Sequence, residues 1–297
     1  MQVPTSLFYD GLSKRMSGLN ARAGILQTQI STGKKLSAPS DDAVASQQLA
    51  EFRQRDADAK VYGTNMNVAG ALLRQADSTL FAITEQLQRA IELTSQASNG
   101  TLTSDARRVI GAELTAIVDQ LVDLGNTKDL RGQPLFGSAD GTKPVQRAAD
   151  GSFSFVATKV SEIPIADGQM IQATETAARV FQSGGGDVLT ILATLASALE
   201  AGTGSAEDAG GTLGSLFAAA DQVGVVQASV GARGARIELS QAMLIETNSD
   251  REELRSSLED VDVTAAITEL QKTMTILNAT QASFAKMTSL SLFNYLR

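Results

Sequence analysis

The sequence predicts a mainly α protein: a long antiparallel helical bundle, with a coiled coil formed by both chain ends and a small β-rich insert. Three observations carry this. Near the start, Leu12, Met16, Leu19, Ala23, Leu26 and Ile30 recur with gaps alternating between four and three residues. Near the finish, Val263, Ile267, Leu270, Met274 and Leu277 do the same, followed by Phe284 and Met287 after a polar Gln281. Such stripes must bury one helical face against another helix. Between them the chain is nearly a palindrome: long helix, short helix, strand-like stretch, helix, long helix. Neither terminal stripe has a cover close by in sequence, so the simplest partner of each is the other.

The elements follow in order. Residues 5–32 read as a helix interrupted by Gly11, Gly18 and Gly24. Each interior glycine costs roughly 0.5–1 kcal/mol relative to alanine, so this helix is marginal without a partner. A break follows at Pro39, with Ser40 as the expected N-cap and Asp41 and Asp42 in the first turn, where the helix dipole favours them. A long helix then runs to about Ser98, with Leu72, Ala76, Leu80, Ile83, Leu87, Ala90 and Thr94 on one face. Asn99-Gly100 turns the chain, and Thr103 or Ser104 caps a helix over 105–125 that buries Ile110, Leu114, Ile117, Val118, Leu121 and Leu124.

From Asn126 to Gly186 the helical period is lost. Asp-Gly pairs at 140–141, 150–151 and 167–168 separate short alternating runs, such as Phe153 with Phe155 and Ile163 with Ile165. These predict strands and hairpins, with Gly184 to Gly186 as a flexible joint. Helix resumes over 187–201 and again over 212–256, where Leu216, Ala220, Val223, Val230, Ile237 and Leu244 stay in register. The last helix begins near Asp260–Asp262. The expected organisation is therefore terminal arms (1–40 with 262–297), a helical shaft (41–142 with 187–261) and a β insert (143–186). Such a chain folds as a hairpin with the insert at its tip.

Composition removes whole classes of function. The chain has neither Cys nor His, which excludes thiol chemistry, disulfides, the usual zinc sites and an imidazole base. The formal charge of −8 is uneven: residues 1–40 carry +4 and 262–297 carry +1, which leaves −13 between them. An acidic middle opposes nucleic-acid binding. The uncharged apolar run Val188–Leu199 is too short to span a bilayer, so no membrane insertion is expected. The first residues lack an unbroken apolar centre before a small-residue cleavage site, which points to export, if any, on an uncleaved N-terminus.

Motif-like stretches have plain structural readings. Ser31-Thr32-Gly33-Lys34 lacks the earlier glycine of a phosphate loop, since Thr28 stands there, and Lys35 replaces the following hydroxyl. A helix C-cap at Gly33 accounts for it. The acidic pairs Asp41-Asp42, Glu252-Glu253 and Glu259-Asp260 point apart on a helix and read as solvated or dipole-facing charges. Nothing nominates a catalytic, cofactor-binding or metal site, and the chain is expected not to be an enzyme. The opposite face of the stripes points elsewhere. Leu7, Phe8 and Tyr9, with Leu290, Leu292, Phe293, Tyr295 and Leu296, exceed what two helices can cover, and such exposed apolar surface marks protein contacts.

These residues resemble the bacterial flagellin superfamily. Gln29 to Leu36 followed by Ala38-Pro39-Ser40-Asp41-Asp42 looks like its N-terminal signature. Leu87 to Leu93 followed by Gln96 to Asn99 is similar to its motif in the first long helix, and Glu259-Asp260-Val261-Asp262 through Phe293 resembles its C-terminal arm. Within the superfamily, Ser98 to Leu102 and Gly132 to Phe136, leading into a small insert, look like the hook–filament junction branch. In flagellins recognised by an animal Toll-like receptor the helix motif has Arg before Glu; here Ile91 holds that place, while Arg89, Glu92 and Leu93 match.

The resemblance implies a structural subunit of the flagellum, lying outside the cell and exported through the flagellar type III apparatus without cleavage. It implies as partners the chain itself, neighbouring hook-associated proteins and flagellin, and a flagellar export chaperone. The expected self-assembly residues are Leu12, Met16, Leu19, Leu26, Ile30, Ile267, Leu270, Met274, Leu277 and Phe284. The apolar Met274, Leu277, Phe284 and Leu292 are the expected chaperone contacts. A short filament-forming flagellin is the alternative reading. A surface carbohydrate-binding protein acting through the β insert is the alternative of another class.

Overall fold

The structure, a computed structural model, describes the backbone of residues 5–137, 142–156, 160, 162–184 and 186–295, and the side chains of those lying between 10 and 287. Seven helices and six short strands follow one another among the described residues: α1 (Thr5–Thr32), α2 (Ala43–Ala97), α3 (Ser104–Gly125), β1 (Val145–Arg147), β2 (Phe153–Phe155), β3 (Glu162–Ala166), β4 (Gln169–Gln172), α4 (Ala177–Phe181), β5 (Gln182–Ser183), β6 (Gly186–Asp187), α5 (Val188–Glu200), α6 (Ala206–Glu259) and α7 (Val263–Tyr295). The protein is mainly helical, as its periodicity predicts. It divides into two compact units, Met1–Ala57 with Glu246–Arg297, and Asp58–Ile245. These divisions fall inside the two long helices, whereas the sequence pattern divides the chain at its turns.

The helix ends follow local chemistry. Gly33 takes φ +71° and its N–H donates to the Gln29 carbonyl, closing α1 as a left-handed C-cap. The expected cap of α2 is corrected: Asp42, not Ser40, accepts from the N–H groups of Val44 and Ala45. Asp41 is engaged otherwise, accepting from Ala38 and Ser37 N–H, and these two bonds hold its carboxyl below the ordinary carboxylate value. Thr103 caps α3 by accepting from Ala106 N–H at 3.2 Å, and Asp262 caps α7 by accepting from Ala265 N–H at 2.9 Å.

In the Asp58–Ile245 unit, the predicted stripe of α2 is buried from Leu72 through Thr94. It shares one core with Leu114, Val118 and Leu121 of α3, Leu189, Leu192 and Leu199 of α5, and Leu216, Val223 and Val230 of α6. On α6 Ala209 and Ala219 are buried, and Ala220 is half-buried beside Ala219. The α3–α5 crossing is tight because of Gly111: a Cβ there would stand 2.9 Å from the Ala196 carbonyl oxygen and from the Glu200 nitrogen. On the surface, Arg89 Nη2 of α2 pairs with Glu113 of α3 at 2.6 Å.

The insert comprises three separate two-stranded antiparallel hairpins. Gly151 and Gly168, at φ +85° and +64°, turn the first two, as their Asp-Gly pairs predict. The pair at 140–141 lies outside the described residues. Gly184 and Gly186, expected in a flexible joint, stand instead in the turn after β5 and at the start of β6, where Gly186 pairs with Ser183; Gly185 lies outside the described residues. The short α4 was not legible, because five residues carry no period. Val145, Phe153, Ile165 and Ile171 face the same core as the helices, and Phe181 stacks on Phe155 with ring centroids 6.1 Å apart. Glu175, buried beside them, accepts from Arg233 at 2.6 Å and Arg179 at 2.8 Å, which ties the insert to α6.

Gly111→Leu forces α3 from α5 and lowers urea-unfolding stability by about 1–3 kcal/mol, whereas Gly224→Ala, in open space on α6, raises it by about 0.4–1 kcal/mol. Asp129 tests the loop after α3. Burial raises its pKa, but N–H donors from Gln133 and Arg131 and the Arg131 guanidinium outweigh that and hold it below the ordinary value. Its contribution is therefore present above the unfolded carboxylate value and lost as pH falls through the lower folded one. Asp129→Asn should cost about 1.5–3 kcal/mol at neutral pH. Unfolding measured in acid, below both values, should find the two proteins nearly equal.

Candidate assembly surface

The two chain ends meet in one antiparallel helix pair. At its closed end, Val261 N–H donates to the Gly33 carbonyl at 3.0 Å and Lys35 N–H to the Glu259 carbonyl at 2.6 Å. The Lys34 ammonium pairs with the Glu259 carboxylate. Gln29 donates from Nε2 to the Lys35 carbonyl at 2.7 Å, which fixes the turn on α1. Farther along, Arg22 reaches Glu269 at 3.7 Å across the pair. Both side chains are largely exposed there, so this contact orients more than it stabilises.

On α1 the seam is the one the spacing predicts. Ala23 and Leu26 are buried, and Leu12, Met16, Leu19 and Ile30 are half-buried. On α7 the register differs. Ala266, Thr273 and Leu277 are buried, and Leu270, Thr280 and Phe284 are half-buried. That is also a heptad stripe, but it runs through small residues. Ile267 and Met274, expected in the seam, stand 41 % and 44 % exposed. The physical reason is close approach: Ala and Thr let two helix backbones draw together, so the bulky positions beside them turn outward. Val263, Ile276 and Met287 share this exposure on α7, as does Ile25 on α1. Leu292 and the outermost aromatic and leucine residues of both arms lie beyond the described side chains.

The same unit contains an ion cluster. Asp56 receives Arg251 at 2.5 Å and Arg255 at 3.4 Å, and Arg255 also pairs with Glu252. The Glu252 contact, more than the nearby Asp56 and Glu259 charges, raises the Arg255 pKa. Each of the two acidic pairs near the end of α6 gives one member to a cation, Glu252 to Arg255 and Glu259 to Lys34. Among the described residues no three His, Cys, Asp or Glu side chains could hold a metal ion, and no helix is long and apolar enough to cross a membrane. Ala266, Thr273 and Thr280 are legible in the sequence only as a stripe of small residues at heptad spacing, a weaker signal than the larger apolar side chains beside them.

What this surface does chemically is bury helix faces. Leu26→Asp places a carboxylate in the α1–α7 seam, where an unpaired charge is strongly disfavoured. Circular dichroism should show a loss confined to the arms, and the variant should not be incorporated into any assembly that the unchanged chain enters. Full incorporation of Leu26→Asp would contradict this.

Comparison with known proteins takes in both chain ends. Residues 12–140 match the family described as the bacterial flagellin N-terminal helical region, and residues 213–296 match the bacterial flagellin C-terminal helical region. The chain is 32 % identical to flagellar hook-associated protein 3 of Salmonella typhimurium over 155 residues, 51 % of this chain and 48 % of that one. It is 26 % identical to flagellar hook-associated protein 3 of Escherichia coli over 99 % of both chains. Its fold is shared with the crystal structure of flagellar hook associated protein-3 from Legionella pneumophila, with a TM-score of 0.62, 16 % identity and coverage of 75 % of this chain and 99 % of the other. The two family matches span most of the sequence and take in both chain ends that pair as α1 and α7: the chain belongs to the bacterial flagellin family.

Proposed function

We propose that the protein is a structural subunit of the bacterial flagellum that joins hook to filament. The observation that carries this is the end-to-end correspondence with a hook-associated protein 3, which extends through the insert region as well as the helical ends. The arm pair supplies the physical means. Ile25, Val263, Ile267, Met274, Ile276 and Met287 remain exposed on it, a surface suited to further copies of the same arms or to neighbouring flagellar subunits. In this reading Leu12, Met16, Leu19, Leu26, Ile30, Leu270, Leu277 and Phe284 hold the arms to each other, while Ile267 and Met274 meet neighbours. The arms, residues 1–40 and 262–297, act as the assembling part, residues 41–142 with 187–261 act as the shaft, and residues 143–186 face outward. The family is one of structural proteins, and no chemistry is assigned to any residue.

The chain acts outside the cell in this reading, with its N-terminus uncleaved. A flagellar export chaperone would hold α7 before assembly through Met274, Leu277, Phe284 and Leu292. Leu277 is buried and Phe284 half-buried against α1, so such a chaperone and α1 compete for one face.

Purified chain added to hook stubs tests the proposal. A junction subunit caps hooks with a short zone that then accepts flagellin; elongation into long filaments would instead establish a filament flagellin. Removing 262–297 should leave the Asp58–Ile245 unit folded and abolish capping. Normal capping by that truncation would refute the role of the arms.

A further inference from the structure

At the tip of the loop after α3, Leu130 is 96 % exposed, the most exposed large apolar side chain among the described residues. It does not sit on a loose loop. Gly132, at φ +77°, donates its N–H to the Asp129 carbonyl at 2.9 Å, making a four-residue turn with Leu130 at its second position. Asp129 Oδ1 accepts from the N–H groups of Arg131 and Gln133 at 2.8 and 2.9 Å, and Oδ2 from Arg131 Nε at 2.9 Å. Gln75 of α2 donates to the Lys128 carbonyl at 2.9 Å, and Leu135 and Phe136 are buried in the core just beyond. The turn is anchored on both sides, so Leu130 is a rigid apolar knob beside the exposed Lys128.

The same unit carries a matching recess. Between α5 and the first turns of α6 lies an open groove of about 640 Å³, floored by Ile191, Leu195 and Ala198 and edged by the carboxylates of Glu207 and Asp208. Glu207 and Asp208 stand where α2 gives way to α3 and α5 to α6. There a Cβ on Gly210 would meet Ser98, and a Cβ on Gly111 would meet Glu200. Leu130 lies beyond the other end of α3, which spans 22 residues, or about 33 Å at 1.5 Å per residue. A Leu with a Lys beside it at one end, and an apolar groove with an acidic edge at the other, are complementary in polarity and charge. They cannot meet within one chain.

We propose that Leu130 of one copy seats in the α5–α6 groove of the next, with Lys128 facing Glu207 and Asp208. The contact is heterologous, head to tail. Repeated, it generates a ring or a helical row, and a two-fold pair does not satisfy it. This inference rests on the assembly role proposed above and names a contact for it outside the terminal arms.

The chain has no Cys, so a cross-link reads the contact directly. Full-length protein carrying Leu130→Cys with Ala198→Cys is added to hook stubs and oxidised gently. The expected result is a ladder of disulfide-linked dimers, trimers and higher species, absent from either single variant. Hooks capped by the double variant without a ladder overturn the contact while leaving the assembly role intact. Hooks left bare by the unchanged chain overturn both. Where the double variant itself fails to cap, Leu130→Ala decides: its circular dichroism should be unchanged and its capping reduced about tenfold, as for an interface hot spot. Capping equal to the unchanged chain overturns the proposal.

Discussion

Lys34 and Glu259 pair although 225 positions separate them. Around that ion pair the two chain ends lie antiparallel, and everything between them is enclosed by their meeting. Closing so long a loop costs conformational entropy before any contact rewards it, though the cost grows only slowly with length. The contact itself is thin. Two leucines and two alanines are fully buried along helices of 28 and 33 residues, with a threonine among them. The remainder of the seam is half-buried, and a row of Ile, Val and Met stays wet beside it. Helices of this kind gain most of their stability from packing and little from propensity. The arm pair is therefore a half-built core, stable in proportion to what else covers it.

The Asp58–Ile245 unit is constructed on the opposite principle. Its stripes are wide and filled with Leu, Ile and Val, and they meet in one cluster that takes in the hairpins as well. Polar devices there point inward: Glu175 is held by two arginines and Asp129 by three N–H donors. One chain thus joins a closed, self-sufficient core to arms whose faces are only partly satisfied. That asymmetry suits a subunit that must arrive as a separate chain and become fully ordered in an assembly.

Much of this was legible in the sequence. The stripe on α2 was readable residue by residue, because seven apolar or small positions at helical spacing admit one buried face. Asp-Gly marked two hairpins, since Gly151 and Gly168 take at no steric cost the positive φ their turns need. The seam on α7 was harder. Two heptad stripes overlap on it, sharing Leu270, Leu277 and Phe284, and hydrophobicity favours the one with Ile267 and Met274. Close helix approach favours the one with Ala266 and Thr273, and proximity is a tertiary fact that no single stripe encodes. The same limit applies at Asp42, where two acidic residues and a serine compete for one cap and the chain's turn geometry decides. Leu130 is wholly silent in the sequence: a leucine between Asp and Arg in a loop has no period, and only its surroundings reveal that nothing among the described residues covers it.

If the chain ends pair with each other and are completed by neighbours, their order depends on assembly. Amide hydrogen exchange on the dilute full-length chain, and on the same chain bound at hook ends, tests it most directly. α1 and α7 should be weakly protected in the dilute chain and strongly protected once bound, with the amides of α3 protected throughout. Protection of α1 and α7 in the dilute chain equal to that of α3, and unchanged on binding, would contradict it.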